Sequence, residues 1–392
     1  MIREVTALMS LLIQNIQIAM PDGSVMKGEI IVENGKISSV SNVSIKDFNG
    51  ERMDGQGCLV LPGFIDIHIH GADGADFMDG TQDSFKTIAD ALPKEGTTAF
   101  LATTLTQAEE KIAKAVNAGK GFMERNESGA EMLGFHLEGP FIHPEQAGAQ
   151  PVEFILKPSL ALLERWFGKD LGHLKVVTLA PECDEGLEMT RQLAEHGILV
   201  SAGHTKASFV DITQAIDHGL THLTHFGNAM SGLHHREIGT VGAGLLLEQL
   251  HCEVIADGIH LSEDMLRLIY RTMEPERIIL ITDSMRAKGM PDGAYTLAGQ
   301  DVNVVGAKAT LSDGTLAGSV LKMDEAVRMM RSMGAGLPDL IRMSSSNAAK
   351  RLGVFDRKGS IEVGKDADLV LLDADFNVHA TLCRGMVSYS LE

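Results

Sequence analysis

Eight short apolar runs, each followed by an interval long enough for a helix, set the tightest limit on what this chain can fold into. They are Phe64–Ile67, Thr98–Ala102, Met132–Leu137, Val176–Leu179, Ile198–Ala202, His222–Thr224, Cys252–Ala256 and Ile278–Ile281. A strand that returns parallel to its neighbour needs a crossover of a dozen or more residues, and a helix is the usual filling. The pattern predicts an α/β protein whose middle is a (β/α)8 TIM-like barrel, with a doubly wound open sheet as the alternative. Helical intervals include Gln107–Arg125, Leu187–His196 and Asp324–Met333. Ile112, Ala115, Val116 and Gly119 fall on one face of the first.

Both ends have a different texture. Between residues 10 and 60, β-rich runs meet at the turn pair Asn34-Gly35, a strong hairpin signal. Gly364–Leu372 reads as a turn followed by a buried strand, and Val378–Val387 supplies more. The expectation is a small β-sandwich built from residues 1–61 and 362–392, around a barrel that occupies 62–361.

The net charge of −19 disfavours nucleic acid and anionic membranes as partners, since both demand clustered Lys and Arg. A small anionic substrate then needs local cations. The start, Met1-Ile2-Arg3-Glu4-Val5, has no long apolar stretch behind a basic residue, and no run approaches the length of a membrane span. Cys58, Cys183, Cys252 and Cys383 form no CxxC pair and read as scattered thiols, which points to a reducing cytoplasm.

Polar residues collect where the strands end. The tips are Asp66-Ile67-His68-Ile69-His70, His136-Leu137-Glu138-Gly139-Pro140, Ala202-Gly203-His204-Thr205, Thr224-His225-Phe226-Gly227-Asn228, Ala256-Asp257-Gly258-Ile259-His260 and Thr282-Asp283-Ser284. In a barrel these tips share one rim, where active sites sit. His68 and His70, two apart on a strand, point to one face. Paired neutral imidazoles suit a divalent transition metal, whereas two edge histidines bonded to backbone are the ordinary alternative. With Glu138, His204, His225 and Asp283 they make a His-and-carboxylate set that fits Zn²⁺, Fe²⁺, Co²⁺ or Mn²⁺ and not a thiolate site. Taken singly, Glu138 could be a capping carboxylate, His204 a cap on the helix that follows and Asp283 an N-cap. Their shared place at strand ends speaks against all three together. The loop Thr310–Ser319 reads by itself as a surface turn. Arg286 and Lys288 read as a solvated loop face, with attraction of phosphate as the alternative.

The segment Pro62-Gly63-Phe64-Ile65-Asp66-Ile67-His68-Ile69-His70-Gly71 resembles the first-strand signature of the amidohydrolase superfamily. Further blocks are similar, in order, to those of the N-acetylglucosamine-6-phosphate deacetylase family: His136–Phe141, Gly203–Thr205, Thr224–Met230, His234–Glu237, Ala256–His260, Thr282–Met285 and Gly314–Ser319. The likeness spans nearly the whole chain. It implies that Glu138, His204 and His225 are the main metal ligands and Asp283 the catalytic acid/base. It implies that Ala149, Gln150, Asn228, Ala229, Leu316, Ala317 and Gly318 hold the sugar. Some members carry His at the position of Gln150. Arg236 and His260 fall where the family holds phosphate, with some contacts from the neighbouring subunit of a homodimer. Some members lack the first-strand pair, but this chain keeps His68 and His70. A second metal, bridged by Glu138 and close to Asp283, is then possible. The implied cofactor is a divalent transition metal, Zn or Fe, as one or two ions.

The implied reaction hydrolyses the acetamide of N-acetyl-D-glucosamine 6-phosphate to D-glucosamine 6-phosphate and acetate, in amino-sugar catabolism and cell-wall recycling. Metal activates water, Asp283 takes its proton and later delivers it to the amine, and metal or a nearby donor such as a His or Gln150 stabilises the oxyanion. Three alternatives stand beside it. One is a deacetylase for the galactosamine epimer. Another is a different amidohydrolase, such as a deaminase or a cyclic-amide hydrolase, although many of the latter carry a carboxylated lysine where Glu138 stands. The last is a metal-free barrel that acts as a binding or assembly protein.

Overall fold

The computed structural model describes residues 10–20, 22–126 and 128–391. The expected start of the β unit at residue 1, and the reading of Met1–Val5, lie outside them. All eight expected barrel strands are present, as Phe64–Ile69, Thr97–Thr104, Glu131–Glu138, Leu174–Leu179, Leu199–Ala202, Leu220–Leu223, His251–Ile255 and Ile278–Ile281. They pair in parallel in chain order, from the first to the eighth. The backbone then joins the two ends: Asp283 N–H donates to His68 O at 2.9 Å and His70 N–H to Ser284 O at 2.9 Å. An open sheet would keep those strands at opposite edges, so the doubly wound alternative is overturned.

The expected helices are Glu109–Met123, Gly186–Glu195 and Met323–Ser332. The first buries Ile112, Ala115, Val116 and Gly119, with Phe122 extending the same stripe.

Strands Ser10–Ala19, Val25–Glu33, Lys36–Ser41, Glu51–Asp54 and Leu59–Pro62 join Leu369–Leu372, Val378–Cys383 and Met386–Ser390 in one eight-stranded sheet. Asn34 and Gly35 turn the hairpin with φ of 53° and 78°, the positive pair that matches strand twist and that Asn-Gly tolerates. Ile13, Ile18, Ile30, Val60, Leu369 and Leu382 belong to a core of its own, separate from the barrel's.

One element has no counterpart in the sequence reading. After the eighth barrel strand, Gly293–Leu297, Gln300–Val305 and Lys308–Thr310 form a three-stranded antiparallel sheet. Leu297, Val302, Val304 and Ala309 pack with Leu105, Met285 and Ala317. The Thr310–Ser319 segment is therefore anchored to an apolar cluster rather than being a free surface turn.

Candidate active site and metal centre

The barrel interior beneath the C-terminal rim is polar, where branched apolar side chains usually fill such barrels. His136 donates from Nδ1 to Ile67 O at 3.0 Å, and its Nε2 lies 2.7 Å from Thr178 Oγ1. Thr178 Oγ1 lies 2.6 Å from Thr224 Oγ1, which lies 2.6 Å from Ser201 Oγ. Burial holds His136 down at about 4, so this layer is uncharged near neutral pH.

Above it, residues from five strands converge. His68 and His70 come from the first strand and its end, Glu138 ends the third, and His204, His225 and Asp283 follow the fifth, sixth and eighth. His204, His225 and Asp283 hold φ of 49°, 31° and 49°. Non-glycine residues in this left-handed region cost roughly 1–3 kcal/mol each and persist only where the surroundings over-determine them. The surroundings do so here: Phe226 N–H donates to Glu253 O at 2.7 Å, Thr205 N–H to Ala229 O at 3.0 Å and Ser319 N–H to Asp283 O at 2.8 Å. The kinks turn three side chains inward at points where the strands have ended.

Three of the four imidazole protons are placed by partners outside the centre, and His225 Nδ1 is buried without one. His204 Nδ1 donates to Gln146 O at 2.7 Å, His70 Nδ1 to Thr103 O at 3.2 Å and His68 Nδ1 to Glu253 Oε2 at 2.9 Å. In the neutral ring this leaves each Nε2 as a lone pair aimed inward. His204 Nε2 and His225 Nε2 both lie 3.0 Å from Glu138 Oε1 and 3.1 Å from each other. Glu138 Oε2 lies 3.4 Å from His70 Nε2, and Asp283 Oδ1 lies 3.1 Å from His70 Nε2 and 3.6 Å from His68 Nε2. Two triads, Glu138–His204–His225 and His68–His70–Asp283, thus share a wall, with Glu138 between them.

This donor set fits a divalent transition metal. His68 Nε2 is fully buried and without a hydrogen-bond partner, which is costly unless a cation takes its lone pair. The electrostatics agree. Burial pushes the Asp283 carboxyl up, but His68 and His70 outweigh it and hold the group at about 2. Burial likewise opposes ionised Glu138, yet His68 and hydrogen bonds from His204 and His225 hold it well below the usual range. Burial disfavours a charged His68, but the facing carboxylates Glu138 and Asp283 raise it well above the ordinary imidazole value. Two anionic carboxylates draw positive charge into the centre, whether as protons or as metal.

A cavity of about 370 Å³ opens over the centre, a size typical of small-molecule sites. Of the sequence-predicted residues, His70, Glu138, Ala149, Gln150, His204, His225, Asn228, Ala229, His260, Asp283, Leu316 and Gly318 line it. His68 lies fully buried and does not line it. Ala317 is buried in the cluster under the three-stranded sheet, so it supports the wall without forming it. Arg236 is exposed in a loop and packs its guanidinium on His235 Nε2 at 2.6 Å, outside the cavity of this chain. Gln150 Oε1 accepts Thr106 N–H at 2.9 Å while Nε2 lies 3.2 Å from His204 Nε2. Gly139, at φ 73°, makes room for that: a Cβ there would sit 2.1 Å from Thr106 Oγ1 and 2.9 Å from Gln150 Oε1. His260 donates from Nδ1 to Asp257 Oδ2 at 2.7 Å. Burial lowers its pKa, but Asp257 more than reverses this and the net shift is upward, which favours a cation at the cavity wall.

The ordinary alternatives for the strand-end residues do not hold. Ser208, with Asp211, caps the helix Phe209–Asp217, not His204. No α-helix begins at Glu138 or Asp283. Arg286 pairs with Asp79 at 2.9 Å and Lys288 is buried against Glu95 at 2.8 Å, so these two form neither a solvated face nor a phosphate site. Thr103, Gln146, Glu253 and Asp257 position the imidazoles and were not read from the sequence. A signal existed for one of them: Glu253 interrupts the apolar run Cys252–Ala256, and a carboxylate inside a buried strand demands a partner.

Residues 59–387 match the model of the amidohydrolase family. The chain is 45% identical over 385 residues to an N-acetylglucosamine-6-phosphate deacetylase of Bacillus subtilis, covering 97% of each. It is 38% identical over 331 residues to an N-acetylgalactosamine-6-phosphate deacetylase of Escherichia coli O157:H7, covering 84% of this chain and 88% of that one. Among solved structures it is similar to the N-acetylglucosamine-6-phosphate deacetylase of Thermotoga maritima, with a TM-score of 0.87, 37% identity and coverage of 97% of this chain and 100% of the other. The chain belongs to the amidohydrolase family, in the branch of the N-acetylglucosamine-6-phosphate deacetylases.

Proposed function

We propose that this protein hydrolyses the acetamide of N-acetyl-D-glucosamine 6-phosphate to D-glucosamine 6-phosphate and acetate. The observation that carries the reading is the convergence of Glu138, His204, His225, His70 and Asp283 on one cavity, with His68 buried behind them and Gln150, Asn228 and His260 on the same walls. Glu138, His204 and His225 would hold one divalent ion, zinc or iron, and His68, His70 and Asp283 a second. When bound, such an ion makes water a nucleophile near neutral pH and polarises the amide carbonyl.

The protein's own groups do the rest. The Asp283 carboxylate accepts a proton from the attacking water and returns it to the leaving amine nitrogen. The amide N–H of Gln150 donates to the developing oxyanion. Asn228 and the backbone at Ala229, Ala149 and Leu316–Gly318 bound the sugar ring. His260, held by Asp257, faces the 6-phosphate. Arg236 lies outside the cavity of its own chain, and we assign it to the phosphate of the neighbouring subunit in a homodimer, where its planar fork matches phosphate oxygens. The described residues of 1–61 and of 362–392 form the supporting unit and those of 62–361 the catalytic one. Free buried thiols and a phosphorylated metabolite fit a reducing cytoplasm.

The test is acetate release from N-acetylglucosamine 6-phosphate, its galactosamine epimer and dihydroorotate, with transition metal counted in the same sample. Acetate from the glucosamine substrate at the highest kcat/KM is expected. Preference for the epimer, ring opening of dihydroorotate, or protein that binds no transition metal would overturn the reading.

A further inference from the structure

Glu253 lies fully buried on the seventh barrel strand, His251–Ile255. No Lys or Arg among the described residues pairs with it. Its Oε2 accepts from His68 Nδ1 at 2.9 Å and, more weakly, from His225 N–H at 3.4 Å. Its Oε1 has no partner at all. The nearest other ring, His136, is 4.0 Å from Oε1 and commits both nitrogens elsewhere. A buried carboxylate left this bare costs several kcal/mol unless positive charge sits close by.

That charge reaches Glu253 through one imidazole. His70 and His204 rest their Nδ1 protons on the neutral carbonyls of Thr103 and Gln146, whereas His68 rests its own on a carboxylate. A carboxylate behind the ring fixes the tautomer and makes the opposite Nε2 a stronger electron-pair donor. The Nε2 of His68 is the buried, partnerless atom that points toward Glu138 and Asp283.

We infer that Glu253 is a positioning residue that sets how tightly the His68–His70–Asp283 position holds its cation, while leaving the Glu138–His204–His225 position largely untouched. The inference rests on the metal-binding reading given above. Glu253 decides whether the centre carries one ion or two at a given free metal concentration.

The experiment is equilibrium dialysis of full-length protein against graded Mn²⁺ or Zn²⁺, with metal per chain read by elemental analysis. Wild type, Glu253→Gln, His68→Asn and the double variant are compared. Gln keeps the volume and an acceptor oxygen but loses the charge. The ion lost in His68→Asn is expected to bind about 10–100-fold more weakly in Glu253→Gln, with the other ion unchanged. Glu253→Gln should add no further loss in the His68→Asn background, and melting of the metal-free proteins should be alike. Wild-type affinity for both ions in Glu253→Gln overturns the inference. So does equal weakening of both ions together with a lower melting temperature of the metal-free protein, since that marks a general packing role. Wild-type protein that binds no metal at all would instead overturn the reading of the preceding subsection.

Discussion

Asp283 combines two properties that seldom meet in one side chain. It is buried, yet two imidazoles keep it ionised, with its carboxyl held at about 2. Asp283 is therefore anionic at neutral pH, the form in which the proposed reaction has it take a proton from water and pass it to the amine. Asp283→Asn keeps the shape and removes the basicity. The ion held by Glu138, His204 and His225 is expected to stay bound as in wild type while kcat falls by about 10²–10⁴-fold, measured by elemental analysis and acetate release. Turnover near the wild-type value would remove Asp283 from that role. At this scale the sequence was informative, because histidine and carboxylate at strand ends is a chemical statement by itself. It did not show which nitrogen of His204, His70 and His68 faces inward. That follows from Gln146, Thr103 and Glu253, whose contacts cross 58, 33 and 185 residues of chain.

Among the elements, the segments that link strands to helices carry charges whose partners lie far away. Glu95 ends the turn Leu92–Glu95 before the second barrel strand, and Lys288 comes from the loop after the eighth. Burial pushes the Glu95 carboxyl from 4.5 up to about 7, although Lys288 at 2.8 Å pulls the other way. The folded protein thus holds this proton more tightly than the unfolded chain. The resulting stability is full below pH 4.5 and is lost as pH rises through about 7. Glu95→Gln is expected to flatten the pH dependence of the melting temperature across that window. An unchanged slope would show that Glu95 titrates normally. The strands themselves were legible, since each buried run is short, apolar and bounded by turn residues. The three-stranded sheet Gly293–Thr310 was not, because its exposed-and-buried alternation in short pieces resembles an ordinary loop.

For the molecule as a whole, the two units are joined by a buried ionic cluster as well as by the chain. Lys358 is 1% exposed, and its Nζ lies 2.7 Å from Glu131 at the start of the third barrel strand and 3.2 Å from Asp366, with Asp368 also in contact. Arg357 adds bonds to Glu131 and Asp366 at 2.8 Å. Lys358→Met would leave the buried Asp368 and the half-buried Glu131 and Asp366 facing one another. It is expected to lower stability by about 3–5 kcal/mol, read by urea unfolding, with little change in metal content. A loss below about 1 kcal/mol would mean that Arg357, Arg384 and Lys36 neutralise the group without Lys358.

Taken alone, the sequence determined the number and order of the barrel strands, the paired termini and the chemical identity of the candidate metal donors. Each of those is written in local pattern, as period, turn residue or side-chain type. The tertiary structure alone decided the sharing of Glu138 between two triads, the inward kinks at His204, His225 and Asp283, the carboxylate behind His68 and the place of Arg236 outside its own cavity. These depend on backbone closure and on contacts between strand tips that lie far apart along the chain, and no local pattern encodes a distance across a barrel.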